Sequence, residues 1–331
     1  MRSISAYLTA IKRLLSQNKG QSLIALFLPL LIAVTGCGGQ QEPDTIRLAL
    51  LPILDALPMY VAEEQGYFEE ENVVVEFIPV TSAAERDQII QAGQADGMIN
   101  EILSTLFYNQ IEPEITVVRY ARVATPEFPQ FYILSAGNSG ISSLDELKGQ
   151  EIGISEGTII EYSTDRLLEA SGFTPEDIQT IAVPRIPDRM ALLNSGEIKA
   201  ANLPDPLASL AIQNGALLLI DDSSFPEYGH STISFRNEFV EENPEAVERF
   251  LRALEKAVDD INSNKEQFSN LLSERKLVPE PLVGSYKIPD FPSSSVPPQS
   301  QWDDILEWAI TKGYIEGELE YSDSIDDRYL P

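Results

Sequence analysis

Apolar residues along the chain come in short strand-like runs that alternate with stretches of helical spacing. Residues 46–53 form one such run, and 57–68 follow with Tyr60, Val61 and Phe68 at helical spacing. Residues 73–80 predict a second strand. Ser82-Ala83-Ala84-Glu85 has the form of a capping box and opens a helix that Gly93 stops, ahead of a third short strand at 97–100. Strands at 115–123 and 130–135 are expected to bridge to a second round of the same pattern. That round reads as a short helix capped by Ser143-Leu144-Asp145-Glu146, a strand at 151–155, and a helix opened by a second capping box, Thr158-Ile159-Ile160-Glu161. Strands at 178–183, 200–203 and 216–220 then alternate with helices at 188–195 and 206–215. Alternation of this kind predicts parallel sheets flanked by helices, an α/β fold.

The two rounds echo each other. Gln91-Ala92-Gly93-Gln94-Ala95-Asp96-Gly97-Met98-Ile99-Asn100 aligns with Asn194-Ser195-Gly196-Glu197-Ile198-Lys199-Ala200-Ala201-Asn202-Leu203, each a helix-stopping Gly followed by a short strand. Two lobes built alike are the simplest reading. The C-terminal part differs. Asn243-Pro244-Glu245 reads as the N-cap, N1 proline and acidic first turn of an amphipathic helix, with Val247, Phe250, Leu251, Leu254, Val258 and Ile261 on one core-facing stripe. Residues 279–298 are rich in Pro and Ser and predict an extended strap, followed by a last helix at 302–310.

The N-terminal forty residues carry another kind of signal. A basic start leads to an apolar run at 23–34, too short for a comfortable bilayer span and suited to a secretory h-region. Val34-Thr35-Gly36 then precedes Cys37, the only cysteine in the chain. Small residues before a lone Cys resemble the bacterial lipobox, which implies that 1–36 is a removed lipoprotein signal peptide and Cys37 the acylated mature N-terminus. Residues 37–45 are expected to be a flexible tether, placing the protein in the cell envelope, outside the cytoplasm and membrane-anchored through its lipid. Without the leader's Arg2, Lys12, Arg13 and Lys19 the mature chain holds 19 basic against 52 acidic residues, a formal charge of about −33. A surface that acidic repels nucleic-acid phosphates, so no nucleic-acid partner is expected. The single His and the lack of a Gly-rich phosphate loop with Lys leave no metal or cofactor expected. About 295 mature residues exceed what one core usually needs, which again favours two lobes.

Leu57-Pro58-Met59-Tyr60-Val61-Ala62-Glu63-Glu64-Gln65-Gly66-Tyr67-Phe68 resembles the opening signature of the solute-binding proteins of ABC importers for nitrate, sulfonates, taurine and thiamine-precursor pyrimidines. Val73-Val74-Val75-Glu76-Phe77, Gly93-x-x-Asp96-Gly97, Gly149-x-x-Ile152-Gly153-Ile154 and Leu203-Pro204-Asp205-Pro206 fall where that family places its strands and cleft loops, over about 46–261. The resemblance implies a bilobal type II periplasmic-binding-protein fold, two mixed-sheet α/β lobes joined by two crossover segments. Lobe one would hold 46–125 and 230–331, and lobe two 126–229. It also implies capture of a small-molecule ligand in the interlobe cleft and delivery to an ABC permease and its ATPase, with no chemistry on the ligand. A ligand-sensing lipoprotein of the same fold is the alternative.

In open α/β sheets ligands sit at the C-terminal ends of strands, which points to loops at 54–57, 81–84, 100–102, 155–158 and 203–206. Asp55, Glu101, Glu156 and Asp205 fall on these loops. A pocket presenting several carboxylates would favour a cation or a donor-rich heterocycle such as an aminopyrimidine, and Glu101, after a buried strand, is the leading candidate. Leu57, Tyr60, Ser82, Ser155 and Thr158 complete the expected ligand contacts. Tyr60 and Tyr162 would stack on a ring or pack within a lobe, whereas Glu85 and Glu161 are expected as capping partners. For an oxyanion, the helix N-termini at Ser82 and Thr158 would bind through backbone N–H groups, with Arg86 and Arg189 nearby. One enzyme pattern competes. Gly153-Ile154-Ser155-Glu156-Gly157 matches Gly-x-Ser-x-Gly, and Asp205 and His230 follow in the chain order of a hydrolase triad. His230 falls on an expected crossover, however, and a hydrolase leaves the 57–68 signature unexplained, so no catalytic residue is expected.

Overall fold

The computed structural model describes residues 43–317 and 319–331; the expected signal peptide, Cys37 and the tether up to residue 42 lie outside the described residues. Two five-stranded mixed sheets carry the fold. The first contains β1 (Asp44–Leu50), β2 (Val73–Pro79), β3 (Gly97–Asn100), β4 (Ile115–Val123) and β10 (His230–Arg236), in the order β2-β1-β3-β10-β4. The second contains β5 (Phe131–Ser135), β6 (Glu151–Ile154), β7 (Gln179–Ala182), β8 (Ala200–Pro204) and β9 (Leu217–Asp221), in the order β7-β6-β8-β5-β9. In each sheet three strands run parallel, and the next one is antiparallel to both of its neighbours. The echoing segments supply β3 and β8, which hold the same central place in the two sheets.

Local chemistry sets the helix starts that face the site. Ser82 is extended and its side chain accepts from Glu85 N at 3.2 Å; Thr158 is extended and accepts from Ile160 N at 3.2 Å. The reciprocal half of each expected capping box falls elsewhere. Glu85 accepts from the Thr81 N–H and hydroxyl, and Glu161 from Gly157 N, one residue ahead of each cap. Asn243, unlike Ser82 and Thr158, makes no side-chain cap; its amide donates to the Phe239 carbonyl. The Pro244–Ser263 helix still buries the expected stripe, packing along the Leu57–Glu64 helix with Phe250 stacked on Phe68 at 5.6 Å.

Two crossovers join the sheets, between Val123 and Phe131 and between Asp221 and His230. Asp222, with none of its surface exposed, ties them together: its carboxylate accepts from Gln130 N at 2.8 Å and Phe131 N at 3.2 Å. Gly229 leaves no room for a Cβ against that carboxylate, and its carbonyl accepts from Ala124 N. Burial pushes the Asp222 carboxyl up to about 7.

The C-terminal segment serves both lobes. Beyond the Glu280–Leu282 turn the strap has no regular structure up to Pro298. It is laced to β4 through Tyr120 N to the Ser295 carbonyl and Arg119 to the Pro292 carbonyl. The Gln299–Thr311 helix buries Trp302, Ile305 and Trp308 in one cluster with Ile102 and Leu106 from the first lobe and Ile160, Tyr162 and Leu167 from the second. Ile325 then forms a parallel bridge with Val117 on β4.

Candidate functional site

A cavity of about 120 Å³ lies between the sheets at the strand ends. On the scale of one water per ten to fifteen Å³ it holds a compact ligand of roughly ten non-hydrogen atoms. From the first lobe it is lined by Asp55 after β1, Ser82, Arg86, Glu101 after β3, Arg122 near the end of β4, and His230 opening β10. Gln130, Ser155, Thr158, Arg189 and Asp205 face it from the second. Six expected contacts are thus brought together: Asp55, Ser82, Glu101, Ser155, Thr158 and Asp205. Leu57, Tyr60 and Glu156 do not line the cavity. Leu57 starts a helix and is fully buried in the first lobe's core. Tyr60 packs edge-on against Phe77 at 5.0 Å with the Arg275 guanidinium 4.7 Å from its ring centre. Glu156 sits on an exposed turn. Tyr162 also serves packing, its hydroxyl donating to Asp304.

Two of the three carboxylates lining the cavity, Glu101 and Asp205, have hydrogen-bond partners, and the third, Asp55, has a buried Oδ1 with none. Glu101 is the N-cap of the Ile102–Tyr108 helix, accepting from Ser104 N at 2.6 Å, with its other oxygen 4.0 Å from Arg86. Asp205 accepts hydroxyls from Ser209 and from Tyr286 of the strap, a contact that crosses from strap to second lobe. Asp55 lies 3.7 Å from Arg122, both side chains largely buried. Burial holds the Asp55 and Glu101 carboxyls above their usual range, against the pull of their arginines.

The cations are less evenly matched. Arg86 is paired with Asp87 at 2.8 Å and bonds the Ser104 hydroxyl at 3.0 Å. Arg189 has no exposed surface and no ion pair among the described residues. Its guanidinium donates only to the carbonyls of Asn202 at 2.8 Å, Val183 at 2.6 Å and Pro184 at 3.4 Å. Burial alone lowers its pKa to about 10, so it stays cationic at neutral pH. One Arg189 terminal nitrogen, Arg122 Nε, Gln130 Nε2 and His230 Nε2 are buried without a hydrogen-bond partner. All four belong to residues lining the cavity. The Ala83–Gln91 and Ile159–Ala170 helices also begin at its wall, one from each lobe, so positive helix ends converge there.

The hydrolase constellation is not assembled. Ser155, Asp205 and His230 all line the cavity, yet no hydrogen bond joins them among the described residues. Asp205 is occupied by hydroxyls, and His230 Nδ1 lies 3.3 Å from the Gln301 amide nitrogen. Burial drives the His230 pKa down to about 3, which makes the ring a poor general base.

Arg86 and Arg189 were within reach of sequence reasoning as residues near the cleft loops; Arg122 and Gln130 were not singled out. The legible signal for Arg122 was a charged residue inside the apolar run at 115–123, which a buried strand admits only with a partner or a purpose.

Two α/β lobes of matching topology, closing on a buried cavity at their strand ends, define a bilobal ligand-binding protein of the periplasmic-binding-protein fold. The chain belongs to the NMT1/THI5-like family, whose sequence model matches residues 54–267. It is similar to a Bacillus subtilis (strain 168) protein named for binding aliphatic sulfonates, 21% identical over 334 aligned residues that cover 93% of this chain and 95% of that protein. It is also similar to the bicarbonate-binding protein CmpA of Synechococcus elongatus (strain ATCC 33912 / PCC 7942 / FACHB-805), 23% identical over 275 residues, 73% of this chain and 59% of CmpA. Among solved structures it resembles one described as the periplasmic sulfonate-binding protein SsuA of a sulfonate ABC transporter from Methylobacillus flagellatus KT. The TM-score is 0.68 at 18% identity, covering 87% of this chain and 93% of that one, a likeness that speaks for the fold alone. The solute-binding family expected from the 57–68 signature is the family found, and its relatives are ligand-binding proteins.

Proposed function

We propose that this protein captures a small oxyanion, inorganic or with a short organic tail, between its lobes outside the cytoplasm and hands it to an ABC permease and its ATPase. Arg189 is the observation that carries the reading. A fully buried guanidinium with a spare nitrogen at the cavity and no carboxylate partner is costly unless an anion completes it. The spare donors on Arg122, Gln130 and His230 and the two helix N-termini favour the same ligand class. Of the carboxylates that suggested a cation or aminopyrimidine, Glu101 and Asp205 are engaged by internal donors and Asp55 is paired with Arg122, which leaves them less to offer a ligand. Relatives named for sulfonate and bicarbonate binding are consistent with an oxyanion.

Closure follows from contacts on both sides of the cleft. An anion held by Arg122 of the first lobe and Arg189 of the second stabilises the closed arrangement that a permease would recognise. Lipid on Cys37 would keep the protein at the membrane; Cys37→Ala should then move it from the membrane to the soluble fraction.

The test is calorimetric titration of protein starting after Cys37 with methanesulfonate, taurine, nitrate, bicarbonate and an aminopyrimidine. Binding of at least one oxyanion is expected, raising Tm by several degrees at saturating ligand. Binding of the aminopyrimidine alone would overturn the reading.

A further inference from the structure

Helix Gln299–Thr311 lies beyond residue 267, where the family match ends, yet its Gln301 touches His230, a residue of the cavity lining. Gln301 in its first turn makes three contacts. Its amide nitrogen donates to the Glu227 carbonyl at 2.6 Å, its amide oxygen accepts the Tyr120 hydroxyl at 2.5 Å, and the same nitrogen lies 3.3 Å from His230 Nδ1. The first contact determines how the amide is turned, because a backbone carbonyl only accepts and must face the NH₂ end. The second N–H then points at Nδ1, which must be the unprotonated, accepting nitrogen of the ring.

We propose that Gln301 is a positioning residue that holds His230 as the neutral Nε2–H tautomer, so that the imidazole donates to an oxygen of the bound anion. The inference rests on the oxyanion reading for its ligand, and on geometry alone for the tautomer. His230 is 1% exposed, lines the cavity, and has no other partner for Nε2. The Tyr120 ring meets it edge-on at 6.4 Å and helps hold its plane. Burial keeps the ring neutral, so it stays a single donor and no acceptor at neutral pH. A ligand must therefore present an acceptor to His230; an ammonium group there would meet a donor head-on. Specificity at this point comes from a residue outside the segment that marks the family.

The chain contains one histidine, so the nitrogen-15 spectrum of histidine-labelled protein shows a single imidazole with no assignment needed. The wild type should show an unprotonated Nδ1 and a protonated Nε2 throughout the neutral pH range. Titration with methanesulfonate, nitrate or bicarbonate should move the Nε2–H signal. Gln301→Glu replaces the donor with an acceptor and should put a proton on Nδ1. Gln301→Met, of similar volume and without a donor, covers the case in which the glutamate variant fails to fold. It should populate the Nδ1–H tautomer and weaken anion binding roughly tenfold. A wild-type proton on Nδ1, or folded variants whose imidazole spectra match the wild type, would overturn the assignment. An anion that binds without moving the Nε2–H signal would overturn the contact while leaving the oxyanion reading standing. The expected tautomer with no anion bound would overturn the oxyanion reading and leave the Gln301 lock in place.

Discussion

Removing the Arg122 charge should separate what that residue does for the fold from what it does for the ligand. Arg122 and Asp55 face each other at 3.7 Å, their side chains 3% and 12% exposed. At an effective dielectric of about 20 that separation is worth about 4 kcal/mol of attraction. Arg122→Met leaves Asp55 without its cation, and breaking a buried pair from one side costs about 3–5 kcal/mol, less whatever Asp55 recovers by taking up a proton. Arg122→Met with Asp55→Asn removes both charges, and stability in urea unfolding should return to within about 1–2 kcal/mol of wild type. Affinity should not return. If Arg122 Nε donates to the ligand, the double variant binds oxyanion about 10- to 100-fold more weakly by calorimetry, the loss of one charged hydrogen bond of about 1.5–3 kcal/mol. Asp55→Asn alone should bind the anion at least as tightly as wild type, since it removes a negative charge from the wall. A double variant with wild-type affinity would refute the reasoning, because Arg122 would then serve only to neutralise Asp55.

Other expectations follow from the same geometry. The Asp222 carboxyl is held near 7, above its ordinary 3.8, so its contribution to stability is fully present below about pH 4 and is lost as pH rises through about 7. Stability should fall between about pH 4 and pH 7 by up to about 4 kcal/mol. Asp222→Asn should flatten that slope while costing about 1–3 kcal/mol, as an amide nitrogen would face a backbone N–H; a pH-independent wild type would refute this. Tyr286→Phe removes the strap's hydroxyl from Asp205 and should lower affinity by about 3- to 10-fold while widening the cleft in solution scattering; neither change would mean the contact carries no closure energy. Glu101→Gln should cost about 1–2 kcal/mol of stability through the weakened cap and the lost charge near Arg86, with oxyanion affinity undiminished. A large loss of ligand affinity in that variant would restore Glu101 as a ligand group.

How far the sequence could be read depended on range. Strands and helix starts were legible because their signals are local: Ser82 and Thr158 cap the helices they were expected to open, and the Gly93 and Gly196 segments lead into equivalent strands. Which loops meet at the cleft was legible too, since strand ends in parallel sheets point one way. The polarity of the site was not. A carboxylate on a cleft loop looks the same in sequence whether its oxygens face a ligand or are taken by a distant hydroxyl, as Asp205 is by Tyr286, 81 positions away. Leu57 fell on the right loop and Tyr60 on the helix just after it, but the helix turned both away from the cavity, toward the lobe core and Phe77. Gln301 carried no signal of its own. Its role exists only because the last helix folds back between lobes that were complete in pattern long before it.

That return of the last helix sets the order in which the site comes into being. Ribosomes deliver the chain from its N-terminus, so both sheets are available before residue 286 has been made. At that stage Asp205 lacks Tyr286, His230 lacks Gln301, and Ile102, Leu106 and Ile160 lack the two tryptophans that cover them. A nascent chain therefore passes through a stage with every family-defining element in place and no finished binding site. Cargo cannot template its folding early, and a chain cut after residue 267 would expose an apolar seam that the last helix covers in the intact protein.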